Sequence, residues 1–318
     1  MKGCNTISAM RKVKDFEIEK SRDLREILGQ MEELGGFQGN KVAEAVNILE
    51  RMIKDKKSLN FLSFPACLVA TGIRGVFKEM VKRKWFDLVI TTCGTLDHDL
   101  ARSWGDYYQG SFQLKDEDVK KKGFSRLGNV LVPDKVYAQQ VEKNVQRFLN
   151  EIYKEKKELS TYELVWELGE RLDSKNSIIY WAAQNRIPVI VPGITDGMIG
   201  YQLWMFSQDK EFKIDILKDE QLLNDQVWQA EKTGALIVGG GISKHHTIWW
   251  NQFKGGLDYA VYLTTAIEED GSLSGARPRE AVSWGQIKEK AEKIFVIGEA
   301  TSILPLMISA LAERLQSP

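Results

Sequence analysis

Histidine, carboxylate, tryptophan and glycine crowd into one run of this chain. ALIVGGGISKHH (Ala235 to His246) carries an apolar stretch into Gly239-Gly240-Gly241 and on to two adjacent histidines. LDYAVYLTTA (Leu257 to Ala266) is a second apolar stretch ending in small residues, and EEDGSLSGARPREAVSWGQ (Glu268 to Gln286) then supplies carboxylates, an arginine and a tryptophan. Glycine lets the backbone approach a phosphate and a helix N-terminus offers N–H donors, so the triple glycine suits a phosphate loop and, equally, a plain tight turn. It is not GxGxxG, so the standard dinucleotide fingerprint is absent. His245, at the start of the next helix, is placed for general acid–base work, whereas His246 reads as structural. Glu280 and Trp284 are four apart and share a face if their segment is helical. A ring beside a carboxylate can hold a cation, although core packing explains a tryptophan as readily.

Short apolar strands alternate with helical stretches, and these must position such residues. Strands are expected at LNFLSF from Leu59, Phe86–Thr92, LGNVLV before Pro133, Ile187–Val191, FKIDIL from Phe212, ALIV, Tyr259–Leu263 and Lys293–Gly298. Helices are expected at Leu24–Leu34, Val42–Ile53, Ile73–Lys84, Tyr137–Lys156, Thr161–Leu172, Ser174–Gln184, Asp196–Gln208, Leu217–Thr233, Lys244–Phe253 and Thr301–Leu315. That alternation predicts an α/β protein: a Rossmann-like, doubly wound, mostly parallel sheet with helices on both faces. No linker divides the chain, which gives an N-terminal arm over 1–20 and a single domain over 21–318. Thr92, Asp196, Thr265-Ala266 and Glu299-Ala300 each follow an expected strand. Any one reads as a helix N-cap, but together they favour a shared site, because ligands of open α/β sheets collect at the strands' carboxyl edge.

Composition removes several classes. Lys and Arg number 44 against 44 Asp and Glu, for a formal net charge of zero, so there is no electrostatic footprint for nucleic acid or a membrane surface. Three widely spaced cysteines form no CxxC pair and argue for a reducing compartment, hence a cytoplasmic protein. With three histidines, two of them adjacent, no metal site is expected. No stretch approaches the roughly 18 apolar residues of a membrane helix.

The block GGGxxKHH, DYAVYxxTA and DGSxSGARPxEAVSWG resembles the hallmark of deoxyhypusine synthases. The likeness extends through TGIR (Thr71–Arg74), FDLVITT, RLGNVLVP (Arg126–Pro133) and TDG (Thr195–Gly197). It implies a homotetramer with active sites at dimer interfaces and bound NAD. The family oxidises spermidine with NAD, releases diaminopropane, parks the butylimine on an enzyme lysine, and passes that group to a lysine of translation factor 5A. A sister activity makes homospermidine from putrescine. Positions matching the family's NAD contacts are Thr92, Asp196, Gly240, Thr265, Ala266, Asp270, Ser274 and Ala300, with Glu299 where aspartate is usual, and Gly239 and Gly241 join them as candidates from the glycine turn. From the reaction site His245, Glu280 and Trp284 are kept.

The departures lie on the substrate side. The family's block ends SWGK, and that lysine is the nucleophile. Here it is Gln286, whose delocalised amide nitrogen forms no imine. Lys288, two residues on, would face elsewhere on a helix. Where the family uses acids to hold spermidine's amines, this chain has His98 (beside Asp97), Tyr201 and Leu273. Burying an ammonium without a carboxylate costs several kcal/mol. The expectation is therefore an NAD-dependent enzyme of the deoxyhypusine-synthase type. It would transfer an aminobutyl group from spermidine or a related, less cationic amine to an acceptor amine through an altered pocket. The alternative is an NAD-binding oligomer without transferase chemistry.

Overall fold

The computed structural model describes residues 12–316. Its strands, in chain order, are β1 (Ser58–Ser63), β2 (Leu88–Ile90), β3 (Tyr108–Gln109), β4 (Phe124–Leu127), β5 (Val130–Pro133), β6 (Glu158–Leu159), β7 (Val189–Ile190), β8 (Lys213–Ile214), β9 (Lys232–Val238), β10 (Leu257–Thr264) and β11 (Ile287–Ile297). Six of them form one parallel sheet in the order β11-β10-β9-β1-β2-β7. Both faces are covered. Leu236, Val238, Val261 and Leu263 point into one apolar cluster, while their neighbours Ala235, Ile237, Ala260 and Tyr262 point into the other. Such alternation of two buried faces is why these strands read as continuous apolar runs. The expected doubly wound fold is what the chain adopts.

From β1 the chain winds outward through β2 to β7, then crosses back to lay β9, β10 and β11 on β1's other side. The order reverses between β1 and β9, where open α/β sheets form their ligand crevice. Thr92, Asp196, Gly239-Gly240-Gly241, Thr265-Ala266 and Glu299-Ala300 all follow carboxyl ends of these strands, so the topology collects them along one edge.

Several expectations need correction. FKIDIL is not a sheet strand: only Lys213–Ile214 is extended, paired with β6 outside the main sheet, and a helix begins at Ile216 because Asp215 caps it through Leu217 N. That helix ends at Gln229, and Thr233 already belongs to β9. The helix Cys93–Trp104 was not anticipated, since CGTLDHD carries few apolar residues at helical spacing. Lys288 lies in β11, not in a helix. Of the arm, residues 1–11 lie outside the described residues. Lys14 pairs with Glu33, and Glu17 N donates to Gln30, so the rest lies against the helix Leu24–Glu33.

The packing of the helix Cys93–Trp104 rests on one buried carboxylate. Asp99 accepts from Arg74 Nε at 2.6 Å, Ser177 Oγ at 2.6 Å, Ile178 N at 3.2 Å and Ile179 N at 2.9 Å. It thereby caps the helix Ile178–Asn185 and neutralises a buried guanidinium. Removing one partner of a buried pair strands the other charge, at a cost of about 3–5 kcal/mol. Asp99→Ala is expected to lose that much in urea denaturation. Glu79→Ala, which removes a surface partner of Arg83, is expected to lose no more than about 1 kcal/mol.

Candidate active site

The helix Gly241–Gln252 follows β9, and the short helix Pro278–Ser283 precedes β11. Arg277 and Pro278 start the latter, proline's fixed φ suiting a first helical position. Between the two helices, over the ring of Tyr262 from β10, lies a cavity of about 230 Å³ lined by Lys244, His245, Ile248, Trp249, Tyr262, Leu273, Ala276, Arg277, Glu280, Ala281, Trp284 and Gln286. His245, Glu280, Trp284 and Gln286, four residues singled out from the sequence, thus meet in one cavity, and Leu273 joins them.

His245 stacks on Trp249, with ring centroids 5.7 Å apart and planes at 25°, which orients its imidazole. Trp284 is 68% exposed and forms the rim, whereas Gln286 is buried. Lys244, whose sequence context beyond the KHH motif carries no local signal of function, is 1% exposed. Its Nζ donates to Leu273 O at 2.7 Å and Ala276 O at 2.8 Å, and lies 4.4 Å from the Tyr262 ring centroid. Burial pulls Lys244 down to about 8, Glu280 opposing and Arg277 adding to the fall. Burial likewise raises the Tyr262 hydroxyl, whose Oη has no hydrogen-bond partner among the described residues. Arg277 packs its guanidinium over Phe295 at 3.7 Å, with Nη1 also unpartnered.

The loop 271–276 touches both this cavity and the turn after β9. Leu273 and Ala276 face the cavity, while Ser274 lies on Gly240, where an added Cβ would sit 2.2 Å from Ser274 Oγ. Gly241 has φ +69° and open space where a Cβ would be, and its helix starts without a side-chain cap. Thr92 likewise caps no N–H of its own helix; its Oγ1 accepts from Ala66 N. Asp196, Thr265 and Asp270 are exposed. Asp270 is held below the usual carboxylate range by Ser272. At Glu299, burial works to raise the carboxyl but bonds from Thr301 and Ser302 outweigh it. Ala300 opens the C-terminal helix.

Three residues linked to the substrate pocket lie elsewhere. Asp97 is fully buried and accepts from Met198 N, Ile199 N and Tyr137 Oη, capping the helix Met198–Asp209. His98 bonds Tyr107 Oη at 2.9 Å and packs against Tyr137. Tyr201 is exposed and packs on Trp204. Lys288 does not line the cavity either; its Nζ is 2.7 Å from Asp258 Oδ1. No group of His, Cys, Asp and Glu that could hold a metal occurs among the described residues, and none of their helices is long and apolar enough to cross a membrane.

A parallel doubly wound sheet, with a glycine turn at its switch point and an adjoining cavity, defines a Rossmann-like α/β protein. The sequence profile of deoxyhypusine synthase matches residues 26–311. A protein of Picrophilus torridus described as a probable deoxyhypusine synthase is 51% identical over 93% of this chain and 96% of its own. One of Thermoplasma acidophilum with the same description is 50% identical over 94% and 96%. A crystal structure assigned to deoxyhypusine synthase, from Entamoeba histolytica, superposes with TM-score 0.66 at 22% identity, covering 94% of this chain and 96% of that one, and so shares the fold. This chain belongs to the deoxyhypusine synthase family and is a transferase.

Two outcomes follow. Gly240→Ala must push Ser274 away, so hydrogen exchange in residues 271–277 is expected to accelerate. Gly72→Ala, where a Cβ meets nothing, should leave it unchanged. Burial, reinforced by Arg102, lowers His98 to about 4 from 6.5. A lowered histidine contributes stability above its unfolded value, and that contribution is lost as pH falls from 6.5 toward 4. The wild type is expected to lose up to about 3 kcal/mol more than His98→Gln across that window, read by denaturation at each pH.

Proposed function

We propose that this protein binds NAD at the carboxyl edge of its sheet, oxidises an amine of the spermidine class, and transfers the aminobutyl unit to an acceptor amine. The observation that carries this reading is the convergence of His245, Glu280, Trp284 and Gln286 on one cavity beside the Gly239-Gly240-Gly241 turn. The turn suits a dinucleotide: Gly241 leaves open space, its helix lacks a side-chain cap, and N–H groups there can meet a phosphate. Thr92, Asp196, Thr265, Ala266, Asp270, Ser274, Glu299 and Ala300 would hold the remainder. When bound, the nicotinamide supplies the hydride acceptor.

This chain's residues do the rest. Glu280 holds an ammonium, and the Trp284 ring adds cation–π attraction at the rim. His245, aligned by Trp249, takes the proton released when the amine is oxidised and returns it to the departing amine. Gln286 forms no covalent bond. Lys244 and Arg277 outnumber Glu280 among the charged lining groups, which favours a substrate less cationic than spermidine. Exposed Tyr201, Trp204, Trp249 and Trp284 favour contact with a second copy of the chain, and membership of the family adds a homotetramer, a cytoplasmic setting and translation factor 5A as the protein acceptor.

Incubation with NAD and spermidine, followed by mass spectrometry of diaminopropane, tests this. Release is expected in the wild type and a loss of about 10²–10⁴-fold in His245→Ala. Absence of release and of NADH, with NAD binding intact, for spermidine and smaller diamines alike would leave the non-catalytic oligomer as the reading. Robust deoxyhypusine formation on the single change Gln286→Lys would overturn the altered pocket.

A further inference from the structure

Losing the lysine at position 286 does not leave the cavity without an amine. Lys244 lines it, and no other lysine among the described residues does. Its position is built rather than incidental. The side chain is buried, and Nζ is fixed by two backbone carbonyls, Leu273 O at 2.7 Å and Ala276 O at 2.8 Å. An ammonium has three N–H donors, of which two are used. A neutral amine has two N–H groups and one lone pair. The same two carbonyls therefore satisfy the neutral form completely and hold its lone pair in one direction. A surface lysine lacks both constraints.

A second observation points to a ligand at the same place. Tyr262 is 1% exposed, lines the cavity beneath Lys244, and its Oη has no partner among the described residues. Buried hydroxyls are nearly always bonded, so an unpartnered one in a cavity wall suits a polar group brought by a ligand.

We propose that Lys244 is the imine-forming lysine of this protein, taking over the covalent role that Gln286 cannot fill. The inference rests on the amine-oxidation reading above. Oxidation sends a hydride from the carbon beside the secondary amine to the nicotinamide cofactor and leaves a substrate imine. Lys244 Nζ, as the free amine, attacks the imine carbon and forms a new C–N bond. The bond from that carbon to the diaminopropane nitrogen then breaks, and the leaving nitrogen keeps its electron pair and takes up the two protons that Nζ sheds in passing from amine to imine. The product is an imine between Lys244 and the four-carbon unit. Amine plus imine gives imine plus amine, so this step needs no oxidant. Burial helps by depressing Lys244 to about 8, which keeps a useful fraction neutral near physiological pH.

The test is to trap that imine. Wild-type protein is incubated with NAD and spermidine, quenched with borohydride, and mapped by peptide mass spectrometry. The expected result is an aminobutyl adduct on Lys244. An adduct on Lys288 or another lysine, or diaminopropane release with no adduct, overturns the proposal while leaving amine oxidation standing. If spermidine is not turned over, a cofactor-free arm decides. Butyraldehyde with cyanoborohydride at pH 8 should alkylate Lys244 at least tenfold faster than surface lysines, since it holds roughly a hundredfold more neutral amine. Labelling of Lys244 no faster than the surface average overturns the proposal whatever becomes of the amine-oxidation reading.

Discussion

A missing side chain at Gly240 sets the layout of the reactive end of this protein. Because only a hydrogen stands there, Ser274 can lie directly on the turn after β9, closer than any Cβ would allow. That brings the 271–276 loop within reach of Lys244 in the first turn of the next helix, whose two bonds to Leu273 O and Ala276 O lock it down. The loop then faces both sites. Ser274 is on the side of the strand ends, and Leu273 and Ala276 are on the side of the cavity. A buried amine and two buried carbonyls satisfy one another, so neither incurs the penalty of an unpaired polar group.

Elsewhere the chain uses carboxylates, buried except at Glu299, to begin helices. Asp97 starts Met198–Asp209, Asp99 starts Ile178–Asn185, Asp219 accepts from Thr161 N and Tyr162 N, and Glu299 starts the C-terminal helix. Each carboxylate meets N–H groups that lack helical partners and the positive end of a helix dipole. Burial pushes Asp219 up to about 6 against the pull of those bonds. Like Gly39–Lys54 and Arg74–Lys82, the helices after β2 and β9 start without a side-chain cap, at Thr92 and Gly240. Those two starts flank the switch point of the sheet, where an anion can take the place that carboxylates fill elsewhere.

This division marks what the sequence could reveal. The strand ends were legible because apolar runs broken by glycine, threonine and small residues have a local cause, and the meeting of His245, Glu280 and Trp284 follows from that register. Asp97 and His98 were not. From TLDHDL alone, a carboxylate on a helix reads equally as a ligand or as a cap for a helix a hundred residues away, and only tertiary packing separates the two. Lys244 escaped for the same reason. Its burial depends on a loop nearly thirty residues on, and no periodicity within KHH announces it. Lys288 could be placed correctly only once β11 was known to begin at Ile287, where Asp258 of the adjacent strand is within reach.

The positions 286 and 244 approach the cavity from opposite ends of the sheet. Gln286 precedes β11, and its carbonyl accepts from Leu257 N at the start of β10, while Lys244 follows the end of β9. Tyr262, midway along β10, lies between them as the floor. A lysine is long enough to present its nitrogen over that floor from either end, so one reacting carbon could be served by either position. The two differ in what they ask of the electrostatics. An amine at 286 would share the cavity with Glu280, as Lys244 does, but at Lys244 burial, reinforced by Arg277, outweighs Glu280. Gln286 therefore adds no further cation to the cavity, and Lys244 is the lysine on its wall among the described residues.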